Sequence, residues 1–277
     1  MNILQIGDSH SVLAYGVELN RLLRSVPGAT VTAFASSGSS PASWLSGYVA
    51  RTTAVPPFLM IRPDGSEDLV PPGKERPTPN LGALVGTLGP DLVVVSLGAN
   101  QRWQSPAQLA HDVAAFAQVT TKIVNGRRSQ LVWVGPPPQK SDVPSRAAYD
   151  TFQEQLGDAV RPYGTFIPSG AFVPRYSGKD GLHYDTPEGE LLARDWARGV
   201  FGQLVVQSRG SSASPASTAD GAAARARASG GPGAMALSPN ARMMLGAGIG
   251  GLVAGPFGWV GIAVGAMLGA LLAKRTE

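Results

Sequence analysis

The sequence predicts an α/β domain in which a parallel β-sheet is covered by helices on both faces. Three observations predict it. Five short apolar runs, at residues 3–6, 31–35, 91–96, 130–134 and 165–167, recur along residues 1–206. Segments with apolar residues at helical spacing follow the first run (12–23) and separate or follow the later ones (106–124, 145–160, 187–206). The runs carry consecutive apolar, often β-branched residues rather than a strict alternation, which marks strands buried on both faces.

Taken in order, the run at 3–6 begins almost at once and ends in Gly7-Asp8-Ser9-His10. Val12, Val17, Leu19, Leu22 and Leu23 then recur at helical spacing. The strand at 31–35 runs into the Ser/Gly turn 36–40, and the strand at 91–96 into Gly98-Ala99-Asn100. Residues 50–80 break the rhythm: Pro56–Ile61 and Glu67–Val70 flank Arg62-Pro63-Asp64-Gly65-Ser66, a hairpin signal. That segment reads either as a substrate lip beside the ligand-binding edge or as a solvated loop with a marginal hairpin.

Composition narrows the function classes. With 277 residues and a core-forming part ending near Val206, the chain supports one well-buried domain. There are no cysteines, which excludes disulfides and thiolate metal sites. Three histidines (His10, His111, His183) argue against a multi-histidine metal centre. A net charge of +4, with scattered basic residues and no basic stripe interleaved with aromatics, argues against nucleic acid as a partner. The first residues lack a basic region and an apolar stretch long enough for a cleavable signal, so no signal peptide is expected.

Beyond the domain the pattern changes twice. Residues 207–241 are dominated by Ser, Ala, Gly, Pro and Arg and are expected to form a flexible, disordered linker. Residues 242–277 form an apolar tail, with no charge between Arg242 and Lys274. The run 243–273 exceeds the roughly 20 apolar residues that a bilayer span needs. Gly246 and Gly250 lie four apart, as do Gly261, Gly265 and Gly269, a spacing that lets helices approach closely and self-associate. Gly255-Pro256 would kink such a helix or divide it into a hairpin. A membrane-inserting glycine-zipper tail is expected, with a buried helix of a soluble domain as the competing reading.

Chemistry concentrates at the strand ends, where ligands of parallel sheets bind. Ser9, at a strand-to-helix turn, is a candidate nucleophile or simply a helix cap, and Asp8 reads as structural. His183 is a candidate general base, since an imidazole ordinarily titrates near ~6.5. Asp180, three residues earlier in a glycine-flanked turn, can fold back onto that ring. Gly38 and Asn100 offer a backbone and a side-chain N–H to an oxyanion, although turn formers are common at such places. Trp44, Tyr48 and Trp103 lie close by in sequence and read either as a platform for a sugar ring or as core packing.

Together these four blocks resemble the SGNH (GDSL-type) hydrolase family: Gly-Asp-Ser-His at 7–10, Gly38, Gly98-Ala99-Asn100, and Asp180-Gly-Leu-His183. The resemblance covers about residues 1–206. It implies a three-layer, flavodoxin-like α/β/α sandwich and esterase or acetylesterase activity. It also implies a Ser9–His183–Asp180 triad, an oxyanion hole of Ser9, Gly38 and Asn100, and no metal or organic cofactor. Two residues depart from the pattern: Gln101 stands where the family usually has Asp, and His10 follows the serine.

The leading expectation is a serine esterase removing acyl groups, chiefly acetyl, from a carbohydrate or cell-envelope polymer. A lipid ester is the rival substrate. The expectation from another class is a membrane-inserting structural or delivery protein, such as a phage virion component, whose hydrolase-like domain binds glycan.

Overall fold

The computed structural model describes residues 1–124, 126–142 and 146–211. The elements run β1 (Asn2–Gly7), α1 (Ser9–Val12), α2 (Ala14–Arg24), β2 (Thr30–Ser36), α3 (Pro41–Ser46) and β3 (Val49–Arg51). The middle of the chain gives β4 (Phe58–Ile61), β5 (Glu67–Val70), β6 (Glu75–Pro77), α4 (Leu81–Leu88), β7 (Leu92–Ser96) and α5 (Pro106–Thr120). The last third holds β8 (Ile123–Val124), β9 (Arg127–Arg128), β10 (Gln130–Val134), α6 (Arg146–Val160), β11 (Thr165–Ile167) and α7 (Pro187–Ser211).

A central sheet takes the order β11-β10-β7-β1-β2-β4-β5. The five strands expected from the sequence form its parallel part, with Ile3 opposite both Val31 and Leu92. The parallel pattern stops there, however. β4 and β5 extend the sheet as an antiparallel hairpin on the β2 edge, with Ala33 opposite Ile61. The hairpin at 56–70 is thus neither a loose lip nor a solvated loop. Phe58, Leu59 and Ile61 are buried, and that apolar content draws the hairpin onto the sheet.

The two faces carry separate cores. Ile3, Val31, Val94, Val132 and Val134 pack against α2 and α7 through Tyr15, Leu19, Leu23, Trp196 and Val200. Leu4, Ile6, Val93, Val95 and Trp133 pack on the other face against α4, α5 and α6 through Val85, Phe116 and Leu156. Strand residues one apart point to opposite faces, which is why a continuous apolar run can fill both layers.

Several short elements were not expected. α3 begins at Pro41, where the Ser40 N–H donates to Ser43 Oγ at 3.0 Å. α4 is capped by Asn80, which accepts from the Ala83 N–H at 3.1 Å, and is closed by Gly89 at φ 51°. α5 ends at Thr120, and residues 123–124 form β8 instead of a last helical turn. α7 runs through Ser211, past the helical pattern expected to end at 206. The remainder of the expected linker (207–241) and the apolar tail (242–277) lie outside the described residues. Among the described residues, no helix is long and apolar enough to cross a membrane.

Candidate active site

Around β1 the strand order reverses: the chain first adds β2 on one side and later β7 on the other. Helices leave these neighbouring strands toward opposite faces, opening a crevice at their carboxyl ends. Ser9 follows β1 and Asn100 follows β7, so both stand on this crevice. Gly7 makes the first turn possible, because a Cβ there would lie 1.9 Å from Ser11 Oγ. Ser11 is therefore packed against the strand end. The Ser9 hydroxyl belongs to the first residue of α1, whose backbone N–H has no acceptor within its own helix.

Direct contacts bring all four sequence blocks together. The Asp8 carboxyl accepts from the His10 N–H at 3.0 Å and also faces the backbone N–H of Ala99. Asn100 Nδ2 donates to the Ser39 carbonyl at 3.0 Å, joining the third block to the Gly38 turn. One N–H of that amide remains for another acceptor. The His10 ring lies 5.6 Å, centroid to centroid, from the His183 ring, which joins the first block to the last.

Asp180 and His183 form the tightest pair in the site. His183 Nδ1 and Asp180 Oδ2 are 2.5 Å apart, and Asp180 Oδ1 accepts from the backbone N–H groups of Leu182 (2.9 Å) and His183 (2.8 Å). Burial disfavours the charged carboxylate, but these hydrogen bonds outweigh it and hold Asp180 down to about 2. With Nδ1 so engaged, Nε2 is the ring nitrogen left for another partner. It is buried and has no hydrogen-bond partner among the described residues, and no hydrogen bond joins it to Ser9 Oγ.

Gly38 is exposed at φ +75°, and a side chain there would meet the Tyr48 hydroxyl at 2.8 Å from its Cβ. Glycine thus leaves room for both its own N–H and the phenol. His10 is only 3% exposed and lies among His183, Tyr184 and Trp196. Burial, then repulsion from His183 and Arg102, push its imidazole down to about 3, so it is neutral at physiological pH. Asp8, also buried, is pushed up to about 7 by desolvation, against the pull of the His10 and Ala99 N–H groups.

The structure separates the three candidate aromatics. Trp44 is fully buried, with Nε1 donating to Ser39 Oγ at 3.1 Å, so it belongs to the core. Trp103 is 89% exposed. Tyr48 is half-buried. His111 sits exposed on α5, apart from the site.

The sequence reading missed a brace behind the site. Arg102 forms a buried ion pair with Asp142 and donates to the Pro137 carbonyl at 2.9 Å. Asp142 accepts from the Gln139 N–H at 2.6 Å, and the Lys140 N–H donates to the Gly181 carbonyl at 2.9 Å. Arg102 and Asp142 lie 40 positions apart, and no local pattern announces their pairing. Among the described residues no cluster of acidic and histidine side chains suits a metal ion.

No protein-family profile and no curated protein sequence matches the chain. Solved structures do. A carbohydrate acetylesterase family member from Sinorhizobium meliloti is 16% identical, with a TM-score of 0.50 over 74% of this chain and 97% of that one. A putative SGNH hydrolase from Slackia heliotrinireducens is 19% identical, with a TM-score of 0.46 over 72% and 98%. The native aryl esterase of M. smegmatis is 16% identical, with a TM-score of 0.48 over 74% and 98%. The described domain shares the fold of the Sinorhizobium meliloti acetylesterase family member.

Proposed function

We propose that the chain is a serine ester hydrolase that removes acyl groups, chiefly acetyl, from a carbohydrate or cell-envelope substrate. The observation that carries this reading is the Asp180–His183 pair, whose outward nitrogen is buried and unpartnered beside the turn that bears Ser9. In the mechanism, Ser9 Oγ attacks the ester carbonyl while His183 Nε2 takes its proton. Asp180 fixes the imidazole tautomer and stabilises the imidazolium that forms. The N–H groups of Ser9, Gly38 and the Asn100 amide receive the oxyanion. His183 returns the proton to the departing alcohol, and a water activated by the same nitrogen then cleaves the acyl-enzyme. The fold shared with the acetylesterase family member agrees with this chemistry.

The test is Ser9→Ala assayed on p-nitrophenyl acetate, with an organophosphate adduct mapped by mass spectrometry. Activity should fall by at least about 10⁴-fold, as it does when a triad serine is removed, and the adduct should sit on Ser9. Unchanged turnover rules the reading out.

A second reading rests on the uncharged run 243–273. In it, the chain is a membrane-associated structural or delivery protein, of the kind carried by a virion, whose hydrolase-like domain binds glycan. Membrane proximity also keeps a lipid ester in play. Deleting the residues after 240 should abolish association with liposomes, and retained association refutes the membrane role.

A further inference from the structure

Trp103 is a large apolar side chain left 89% exposed on a turn that is otherwise locked down. Gln101, two residues earlier, is fully buried, and its N–H donates to the Gly98 carbonyl at 3.1 Å. Arg102 is held in its buried pair with Asp142. Gln104 is fixed at both ends: its N–H donates to the Gln101 carbonyl at 3.0 Å and its side-chain amide to Asp112 at 2.8 Å. The backbone therefore presents Trp103 to solvent in a fixed place, three residues from Asn100. An indole in water forfeits the burial that such a side chain ordinarily gains, while its neighbours Gln101, Arg102 and Gln104 are all anchored.

A second group stands beside one of the same donors. The Tyr48 hydroxyl lies against Gly38 and makes no hydrogen bond among the described residues. Asn100 is tied to Ser39, the residue after Gly38. Tyr48 thus offers a hydroxyl against Gly38, and Trp103 offers a flat apolar face three residues after Asn100, each from a different segment.

We propose that Trp103 and Tyr48 form a subsite for the pyranose ring of an O-acetylated sugar. The subsite rests on the hydrolase reading given above. A pyranose has an apolar C–H face that stacks on an indole and hydroxyls at its rim that pair with a phenol. A long acyl chain would instead need a continuous apolar trough. The residues next to Trp103 in sequence are Gln101, Arg102, Gln104 and Ser105, all polar. Trp103 supplies the face, Tyr48 orients the ring by a hydrogen bond, and the ester carbonyl is delivered to the donors.

The experiment compares acetate release from a mono-O-acetylated methyl glucopyranoside, from phenyl acetate and from ethyl acetate, using the full chain. Trp103→Ala should raise KM for the sugar ester about tenfold more than for ethyl acetate, a loss of about 1.4 kcal/mol in binding. Trp103→Phe should restore most of it, and Tyr48→Phe should lower kcat/KM on the sugar ester alone. Equal losses on sugar ester and ethyl acetate, or no loss on either, overturn the subsite. A larger loss on phenyl acetate than on the sugar ester also overturns it, in favour of an aryl platform. If the unmodified chain hydrolyses none of the three, the hydrolase reading falls. The subsite is then decided by quenching of tryptophan fluorescence with methyl glucopyranoside: quenching lost in Trp103→Ala supports it, and absence of quenching refutes it.

Discussion

The two ends of the same parallel strands are built on opposite terms. At the carboxyl ends, polar groups are buried and left unsatisfied: Nε2 of His10, Nε2 of His183 and both amide atoms of Gln101 have no partner among the described residues. At the amino ends, a cavity of about 830 Å³ is lined largely by Ile3, Leu23, Leu131, Val132, Phe201 and Leu204. One buried polar group there is paired: the Ser129 hydroxyl donates to the Pro90 carbonyl at 2.6 Å. An unpaired buried polar atom costs roughly 1–3 kcal/mol. Here such atoms are gathered at one rim, the rim that the proposed mechanism uses. Chemistry and stability are thus separated along the strand direction.

That separation can be broken or sharpened by substitution. The largest effect should come from Asp180→Asn at the carboxyl end. It keeps the shape but lets the imidazole adopt the wrong tautomer, and kcat should fall by about 10⁴-fold, as read by p-nitrophenyl acetate turnover. A loss under tenfold would mean that the pair does not orient the base.

The next effect is on stability at the same rim. The unfolded chain protonates His10 below its ordinary 6.5, whereas the folded form does so only near 3, so His10 lowers stability as pH falls through that range. Asp8 acts with the opposite sign: the fold retains a proton up to about 7 that the unfolded chain releases above 3.8, so stability falls as pH rises. Between pH 4 and 6.5 the two slopes oppose one another. His10→Phe removes one of them, so urea denaturation should show stability falling with rising pH by up to about 1.4 kcal/mol per unit. A flat profile in the variant would show that Asp8 is not held protonated.

The smallest effect belongs to the amino end. Ile3→Val should cost about 0.5–1.5 kcal/mol in stability and leave kcat/KM unaltered. A changed rate would mean that the two ends are coupled.

The parallel strands were legible because their residues are buried on both faces, so that apolar content alone marks them. The hairpin at 56–70 was legible as a hairpin, but its docking on β2 was not, because pairing with a distant strand leaves no local mark. α4 carried readable signals, Asn80 before it and Gly89 after it, obscured by the glycines within Leu81–Leu88. In the site, the three-residue spacing of Asp180 and His183 announced their pairing. The Asp8–Ala99, Asn100–Ser39 and Arg102–Asp142 contacts did not announce themselves, since each joins segments dozens of residues apart. Trp44 and Trp103 looked alike in sequence, and only the packing around Ser39 distinguishes them.

The Arg102–Asp142 pair has one further consequence. Through Asp142, Gln139 and the Lys140–Gly181 hydrogen bond it runs as a tie-rod from the turn bearing Asn100 to the turn bearing His183. The turns that carry Asn100 and His183 are thereby tied to one another. Cutting the rod, as in Arg102→Ala, would leave each part intact but let their spacing drift.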